Sequence, residues 1–241
     1  MKTSNTNFKV KSNKEIQILY EDNHIIAVNK QSSDIVQGDK TGDKPLSEKV
    51  KDYIRIKYNK PGNVFIGVVH RIDRPVSGVI LFAKTGKALA RLNAMFQEKT
   101  IQKTYWAIVE DKPHLDQAIL VDYLRKNTKQ NKSYSSKKAK GDYKRSELSY
   151  QLIASSNDYY LLEVKPKTGR HHQIRVQLST MGCMIKGDLK YGAKRSNKDG
   201  SICLHAKQID FIHPVKNEPI KITAPAPSDK LWHFFENGNY N

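Results

Sequence analysis

Asp73 lies between two arginines in the polar segment His70–Gly78, just after the apolar run Val64–Val69. The flanking cations, Arg71 and Arg74, favour the ionised form of such a carboxylate against the cost of desolvation. An ionised, partly buried carboxylate serves either as one half of a structural ion pair or as a nucleophile or general base. The segment therefore allows a structural and a catalytic interpretation of Asp73, and the residue types alone do not decide between them.

A second polar segment, Gly169–Arg175, begins a predicted helix with three side chains that are or can become cationic: Arg170, His171 and His172. Arg175 follows Ile174 of the apolar stripe, so its guanidinium should lie near the buried face of that helix. A buried guanidinium needs an anionic partner, and Asp73 is the obvious candidate. The sequence thus predicts an ion pair between Arg175 and Asp73.

Hydrophobic periodicity predicts the elements that must hold these two segments in place. It indicates strands over residues 16–20, 24–29, 64–69, 79–83, 104–109, 148–154, 159–164, 202–211 and 220–223. Three apolar repeats indicate helices: Leu46, Val50 and Ile54 behind a cap of Asp43 and Pro45; Leu89, Leu92 and Phe96 behind Thr85; and Ile174, Leu178 and Met181. Because strands outnumber helices and are often neighbours in sequence, we expect an α+β fold with a largely antiparallel sheet.

The chain is strongly basic, with 42 Lys and Arg against 24 Asp and Glu and a formal net charge of +18. Such an excess stores self-repulsion and suggests a polyanionic partner, either nucleic acid or an acidic membrane surface. Nine of the cations lie between Arg125 and Arg145, against the single acid Asp142. We expect this segment to be a mobile basic loop between two strands. It is either a solvated surface or an arm that grips phosphates, with Tyr134 and Tyr143 available for stacking.

Several classes of protein are excluded by what the sequence lacks. No apolar run approaches the roughly 20 residues that cross a bilayer, and the first residues lack the apolar core of a signal peptide. Two cysteines, Cys183 and Cys203, cannot form a disulfide framework and favour a reducing, cytoplasmic setting. The phosphate-loop, nucleophile-elbow, dinucleotide and zinc-ligand spacings are also missing, which leaves redox and hydrolase chemistry with little support.

The two polar segments resemble motifs of the RluA-type pseudouridine synthases, enzymes that isomerise uridine within RNA. His70–Gly78 matches the family pattern His-Arg-Leu-Asp-Arg-x-Thr-Ser-Gly, with Ile72 for Leu and Val76 for Thr. Thr168–Leu178 matches Thr-Gly-Arg-x-His-Gln-Ile-Arg-Val-His-Leu, with Gln177 for the second His. Five shorter family-like matches are Lys103–Tyr105, Gly187–Asp188, Tyr191–Gly192, Leu204–Ala206 and His213–Pro214. All of these motifs occur in the family's order, which makes the combined match highly specific.

The resemblance assigns roles to these residues. It implies three catalytic residues: Asp73, which either attacks the sugar or removes a proton from it, Arg175, which holds Asp73 ionised and oriented, and Tyr105. Tyr105 would stack on the uracil and help the final C5 proton leave, although an unperturbed phenol is a poor base at neutral pH. Arg71 would fill the space that the flipped base leaves, and Leu204 would pack against the base. The remaining residues assigned to substrate binding are His70, Arg74, Arg170 and His172. Because the reaction involves no redox change and no net hydrolysis, the resemblance implies neither a metal nor an organic cofactor.

The resemblance runs from about Gln17 to Pro227 and departs from the family at Gln31, where proline usually follows the strand lysine. It implies a pseudouridine synthase fold with a central RNA-binding cleft, as one catalytic domain over residues 16–236. Residues 1–15 would form an N-terminal extension too short for the small RNA-binding domain of many relatives, and 237–241 a tail. We expect a monomer that acts on ribosomal RNA without an obligatory protein partner. The alternatives are a tRNA-directed synthase and a non-catalytic RNA-binding module of the same fold.

Overall fold

The computed structural model describes residues 16–39 and 41–238, and its strands form one sheet. Its strands are β1 (Gln17–Glu21), β2 (Ile25–Lys30), β3 (Gly67–Val68), β4 (Ser77–Ala83), β5 (Gln102–Val109), β6 (Gln117–Asn127), β7 (Lys132–Ser136), β8 (Lys144–Ser155), β9 (Tyr160–Pro166), β10 (Leu204–Ile212) and β11 (Pro219–Thr223). The helices are α1 (Leu46–Lys57), α2 (Gly86–Glu98), α3 (Gln173–Thr180) and α4 (Lys230–Glu236), with a short 3-10 helix at Leu189–Tyr191. None of these described helices is long and apolar enough to span a bilayer. The predicted extension 1–15 and the tail residues 239–241 lie outside the described residues.

The order of the strands in the sheet is β1-β2-β4-β10-β5-β9-β8-β6-β7, with β3 beside β4 and β11 beside β10. Within the described residues, β4 and β10 form the one parallel pair, in which His205 lies opposite Ser77 and Ala206 opposite Gly78. The other strand pairs are antiparallel. This arrangement confirms the expected α+β fold with a mixed, mostly antiparallel sheet.

Strands β2 and β4 are buried on both faces, which explains their apolar runs, 25–28 and 79–83. On one face, Ile26 and Val28 pack in a cluster with Val50 and Ile54 of α1. On the other face, the alternate residues of β2 pack in a second cluster with Leu92 of α2. The two helices therefore cover opposite faces of the strands that follow and precede the Asp73 segment.

Gly78 permits the close approach of β4 to β10. Its φ is +115°, and a Cβ atom added there would lie only 2.3 Å from the backbone oxygen of Ala206. A residue with a side chain would therefore force the two strands apart. Because Gly78 ends the segment that contains Asp73, this contact fixes that segment beside the start of β10, where Leu204 lies.

The basic segment 125–145 is not the loop that its composition predicts. Residues Arg125–Asn127 belong to β6, Lys144 and Arg145 belong to β8, and β7 pairs with β6 between them. Ser133 of β7 is buried, and its N–H donates to the Tyr191 hydroxyl at 2.8 Å. The buried position of β7 is occupied by a hydrogen-bonded serine and not by a hydrophobic residue. The alternation of apolar and polar residues that usually indicates a strand is therefore missing from this segment.

Two smaller predictions about local structure were also wrong. Pro45 occupies the N-cap position of α1 without a capping hydrogen bond, and Asp43 forms an ion pair with Arg74. The apolar run 64–69 contributes only the two-residue strand β3. The predicted cap of α2 is confirmed, because the Thr85 hydroxyl accepts a hydrogen bond from the Ala88 N–H at 3.2 Å.

Candidate active site

The predicted pair of Asp73 and Arg175 is present in the structure. Asp73 lies in the connection between β3 and β4, and Arg175 lies on the buried face of α3, 102 residues later. Nη1 of Arg175 donates a hydrogen bond to Oδ2 of Asp73 at 2.9 Å. The Arg175 side chain is 6% exposed, whereas that of Asp73 is 29% exposed. The pair therefore consists of a buried cation and a partly exposed carboxylate.

Asp188 is the second partner of Arg175. The Nε and Nη2 atoms of Arg175 donate to the two carboxylate oxygens of Asp188 at 2.6 and 2.8 Å. Asp188 is buried just after Gly187, whose φ is +89° and whose added Cβ would lie 2.8 Å from the backbone oxygen of Ser201. In the sequence, Gly187–Asp188 is a family-like match to which no role is assigned. An acidic residue within a family-like motif was the available signal.

These contacts fix the charge and the direction of Arg175. Burial by itself lowers the pKa of its guanidinium, but the hydrogen bonds and charge of Asp188, and then the charge of Asp73, raise it above the ordinary value. The bidentate contact with Asp188 leaves Nη1 directed at Asp73. Among the described residues, none donates a hydrogen bond to the other carboxylate oxygen of Asp73, Oδ1. That oxygen is therefore available to a ligand that binds beside Asp73.

His172 places its imidazole ring beside Asp73. Its Nε2 lies 3.5 Å from Oδ2 of Asp73, and its Nδ1 lies 2.9 Å from the Tyr191 hydroxyl. Burial, followed by the charge of Arg175, lowers the pKa of His172 to about 2. The imidazole is thus neutral at physiological pH, and Arg175 is the one positive charge among the described residues that is in direct contact with Asp73.

Tyr105 and Leu204 form an apolar wall near Asp73. They lie on the adjacent strands β5 and β10 and belong to one core cluster with Val76, which is part of the polar segment of Asp73. Burial, and then the charge of Asp73, raises the pKa of the Tyr105 hydroxyl above its ordinary value. Tyr105 is therefore a neutral phenol whose ring suits stacking. Its phenolate form would be too scarce at neutral pH to act as a base.

The three predicted substrate-binding arginines differ in how they are held. Arg71 is exposed and makes no ion pair with the described residues. Arg170 is also exposed, and its Nε lies 3.5 Å from the backbone oxygen of Arg145. Arg74 is bound to Asp43. Arg71 and Arg170 are accordingly free to contact a polyanion, whereas Arg74 must first exchange its partner.

His70 is engaged by the scaffold. Its Nε2 accepts a hydrogen bond from the Leu81 N–H at 2.9 Å, and its ring stacks on Phe96 with 4.9 Å between centroids. Burial, and then the charge of Lys103, lowers the pKa of His70 to about 3, so it accepts this bond as a neutral ring. The imidazole continues the short β3 ladder along β4. These contacts do not support the predicted RNA contact of His70.

The basic hairpin of β6 and β7 packs against α3 and the residues that precede it. Ser133 donates a hydrogen bond to the backbone oxygen of His171 at 2.7 Å, and Nζ of Lys190 donates to the backbone oxygen of Asn131 at 3.1 Å. Gln177 of α3 donates to the buried carboxylate of Asp122 on β6 at 2.8 Å. The cations of the hairpin are thus fixed beside the helix that carries Arg175.

Lys30 connects the sheet to the Asp73 segment. This fully buried lysine donates hydrogen bonds to the backbone oxygens of Gln31, Arg74 and Val76 at 2.7–3.0 Å. Burial is the main cause that lowers its pKa to about 7. The three carbonyl acceptors satisfy the ammonium group and hold the turn that follows Asp73 against β2.

Comparison with known proteins places this arrangement in a family. Residues 24–180 match the family described as RNA pseudouridylate synthase. The chain is 34% identical over 214 residues to ribosomal large subunit pseudouridine synthase C of Vibrio cholerae, covering 86% of this chain and 65% of that protein. It is 30% identical over 224 residues to ribosomal large subunit pseudouridine synthase D of Zymomonas mobilis, covering 89% and 70% of the two chains. The chain therefore spans slightly less than two thirds of the Vibrio relative.

Solved structures show the same fold. The human RNA pseudouridylate synthase domain containing 4 superposes with a TM-score of 0.74 at 20% identity, covering 91% of this chain and 92% of that one. The human RNA pseudouridylate synthase domain containing 1 gives a TM-score of 0.71 at 21% identity, covering 93% and 89%. With a family model matching well over half of its length, the chain belongs to the RNA pseudouridylate synthase family.

Proposed function

We propose that this protein isomerises uridine to pseudouridine in ribosomal RNA, with Asp73 as its catalytic residue. The observation that carries the proposal is the asymmetric environment of Asp73. One oxygen, Oδ2, is held by Arg175 at 2.9 Å, while Oδ1 receives no hydrogen bond from the described residues, and the side chain is 29% exposed. Arg175 is itself fixed by Asp188. This is a carboxylate oriented for reaction.

The chemistry needs a carboxylate near the sugar of the target nucleotide. The bond between C1′ and N1 of uracil breaks, the base turns, and a new bond forms between C1′ and C5, after which C5 loses its proton to solvent water and N1 gains one. Asp73 either attacks C1′ as a nucleophile or removes a proton from C2′. In both routes Oδ1 is the reacting atom, and Arg175 holds the carboxylate in place through Oδ2.

The apolar wall would receive the base. A uridine must leave its helix or loop stack to reach a carboxylate in a cleft, which costs a few kcal/mol when the base is stacked. Stacking on Tyr105 offsets part of that cost, and Leu204 limits the space in which the base turns. Because Tyr105 is neutral, we assign it to stacking and not to removal of the C5 proton.

The affinity for RNA would come from charge. The hairpin cations beside the cleft and the formal net charge of +18 favour phosphate contacts that do not depend on base sequence. Arg71, which is free of ion pairs with the described residues, would occupy the space that the flipped base leaves. The names of the relatives favour large-subunit ribosomal RNA as the substrate. We further propose one catalytic domain over residues 16–236, acting as a cytoplasmic monomer without a cofactor.

Pseudouridine mapping tests the proposal. Ribosomal and transfer RNA are mapped in cells that lack this chain and in cells that express the wild type, Asp73→Asn or the exposed-site control Asp158→Asn. A site in ribosomal RNA should appear with the wild type and the control and be absent with Asp73→Asn. A site in transfer RNA would favour the tRNA-directed alternative. The absence of any dependent site would favour a non-catalytic RNA-binding module.

A further inference from the structure

Lys103 is a cation near the candidate site to which the proposed reaction assigns no role. It precedes Tyr105 by two residues on β5, and side chains two apart on a strand point to the same face of the sheet. Thr104 and Trp106 lie on the opposite face, where they line a groove with Lys165 and Lys207. Lys103 is therefore on the side of the sheet that carries the apolar wall of the candidate site.

The ammonium group of Lys103 has no partner within the described chain. It forms no ion pair and no hydrogen bond with any described residue. This contrasts with Lys30, whose ammonium is satisfied by three backbone oxygens. Burial lowers the pKa of Lys103, and no described acidic group raises it again. A partly buried cation without an acceptor is costly, and such groups need an explanation beyond stability.

The surroundings of Lys103 leave space for an anion. Its Nζ lies 4.0 Å from the point where a Cβ of Gly169 would be, so the absence of a side chain at Gly169 leaves the approach to the ammonium open. The next residue, Arg170, is exposed. On its inner side Lys103 lies near the neutral ring of His70, whose pKa its charge lowers. The ammonium of Lys103 thus adjoins an opening at Gly169, and no carboxylate of the described residues forms an ion pair with it.

We propose that Lys103 binds a backbone phosphate next to the target nucleotide and so positions the uridine on Tyr105. This inference rests on the proposed function, because it takes RNA as the ligand. Residues two apart on a strand are separated by about 7 Å, which is comparable with the distance from a base to its own phosphate. A lysine ammonium is a compact point charge that suits a phosphate oxygen, and the phosphate would supply the missing negative charge.

Salt-dependent binding tests the contact without requiring turnover. The probe is a synthetic RNA stem-loop with a uridine-rich loop, and its Kd is measured against KCl concentration for wild type, Lys103→Met, Lys103→Arg and Lys165→Met. Lys165→Met is the matched control, because it removes the same charge from the opposite face of the sheet. Lys103→Met should weaken binding about tenfold and reduce the log K against log salt slope by about 0.7–0.9, whereas Lys103→Arg should retain most of the slope. A slope for Lys103→Met equal to that of Lys165→Met would overturn the proposal.

Thermal unfolding of the same proteins separates this role from a structural one. Removing a cation without a partner should leave the midpoint of Lys103→Met unchanged or raise it, because the free protein loses no attractive contact. A marked fall in the midpoint of Lys103→Met would also overturn the proposal. If the slope falls as expected but the protein isomerises no RNA, the phosphate contact stands and the proposed function fails. If the protein isomerises RNA and the slope of Lys103→Met is unchanged, the proposed function stands and Lys103 has no part in it.

Discussion

Arg175 is bound more extensively to Asp188 than to Asp73. Two hydrogen bonds, of 2.6 and 2.8 Å, join it to Asp188, and one bond of 2.9 Å joins it to Asp73. Asp188 is also the more buried acid, with 2% of its side chain exposed against 29% for Asp73. The two carboxylates therefore have different roles toward Arg175. Asp188 compensates the buried cation, and Asp73 keeps one oxygen without a hydrogen bond from the described residues.

We expect Asp73→Asn to abolish pseudouridine formation with little loss of stability. Asn retains the size of the side chain but removes the nucleophile and the base together. Because Arg175 keeps its two bonds to Asp188 and the cleft is open to water, the free energy of unfolding should fall by no more than about 1 kcal/mol. Urea unfolding and single-turnover assays on one preparation measure both quantities. Appreciable turnover by this variant would refute the proposed mechanism.

Asp188→Asn should show the opposite balance. This change removes the bidentate partner of a buried guanidinium, which costs about 3–5 kcal/mol. Activity should fall only as far as the protein unfolds or Arg175 shifts, so that turnover per folded molecule exceeds that of Asp73→Asn. Urea unfolding gives the stability, and activity is normalised to the folded fraction. If the two variants lose equal stability, Asp188 is not the main partner of Arg175.

The buried neutral histidine predicts a pH-dependent stability. In the folded protein the pKa of His172 is about 2, whereas the unfolded value is about 6.5. Between these values the unfolded chain binds a proton that the folded protein does not, so stability is lost as the pH falls below about 6.5. His172→Asn suits the left-handed backbone at this position, where φ is +53°. It should reduce the loss between pH 7 and pH 5 by about 2 kcal/mol. His114→Asn, at an exposed position, serves as the control and should leave the loss unchanged.

The cations of the basic segment 125–145 should contribute to RNA affinity through contacts with phosphates. Replacing the four exposed residues Lys126, Lys129, Lys138 and Lys140 by Gln should weaken binding and reduce the salt slope by up to about 3–4 units. Filter binding over a range of KCl concentrations measures both effects. A control with the same loss of charge replaces Lys60, Lys87, Lys221 and Lys230 on other elements. Equal slopes for the two quadruple variants would mean that the hairpin is only a solvated surface.

Exhaustive chelation should leave turnover unchanged on RNA that has already been folded. The proposed reaction needs a carboxylate and an oriented base, and no step of it calls for a Lewis acid or a redox centre. The assay compares initial rates before and after treatment with a chelator and removal of the chelated ions. A loss that zinc or magnesium restores without refolding the RNA would contradict this expectation.

The sequence was sufficient to predict the Asp73–Arg175 pair because both residues lie in motifs with fixed neighbours. It could not predict that Asp188 is the stronger partner, because the burial of Asp188 depends on distant segments that pack around Gly187. Nor could it place His70, whose ring replaces a strand partner for the Leu81 N–H only because β3 is so short. These are tertiary effects that no local pattern records.

The hairpin shows a different kind of failure. Its lysines and serines are typical of a loop, yet β7 pairs with β6 through five consecutive register positions. On β7 the buried contacts are hydrogen bonds of Ser133 to Tyr191 and His171, and the buried apolar residue of the paired region 123–136 is Leu124 of β6, which packs with Val176 and Tyr191. The composition correctly predicts that the outward-facing lysines are exposed to solvent. It does not predict that the backbone of β7 is fixed on its inner side by the contacts of Ser133 with Tyr191 and His171.

The position of β10 has a consequence for how the protein is made. β10 lies between β4 and β5, although it follows β5 by nearly one hundred residues of chain. While the ribosome is still synthesising those residues, β4 and β5 both present unpaired edges, which are templates for incorrect pairing. The strand that closes this gap also brings Leu204 to the cleft. The nascent chain therefore completes the pairing of β4 and β5 and the wall formed by Tyr105 and Leu204 in one late step, which depends on contacts that are far apart in sequence.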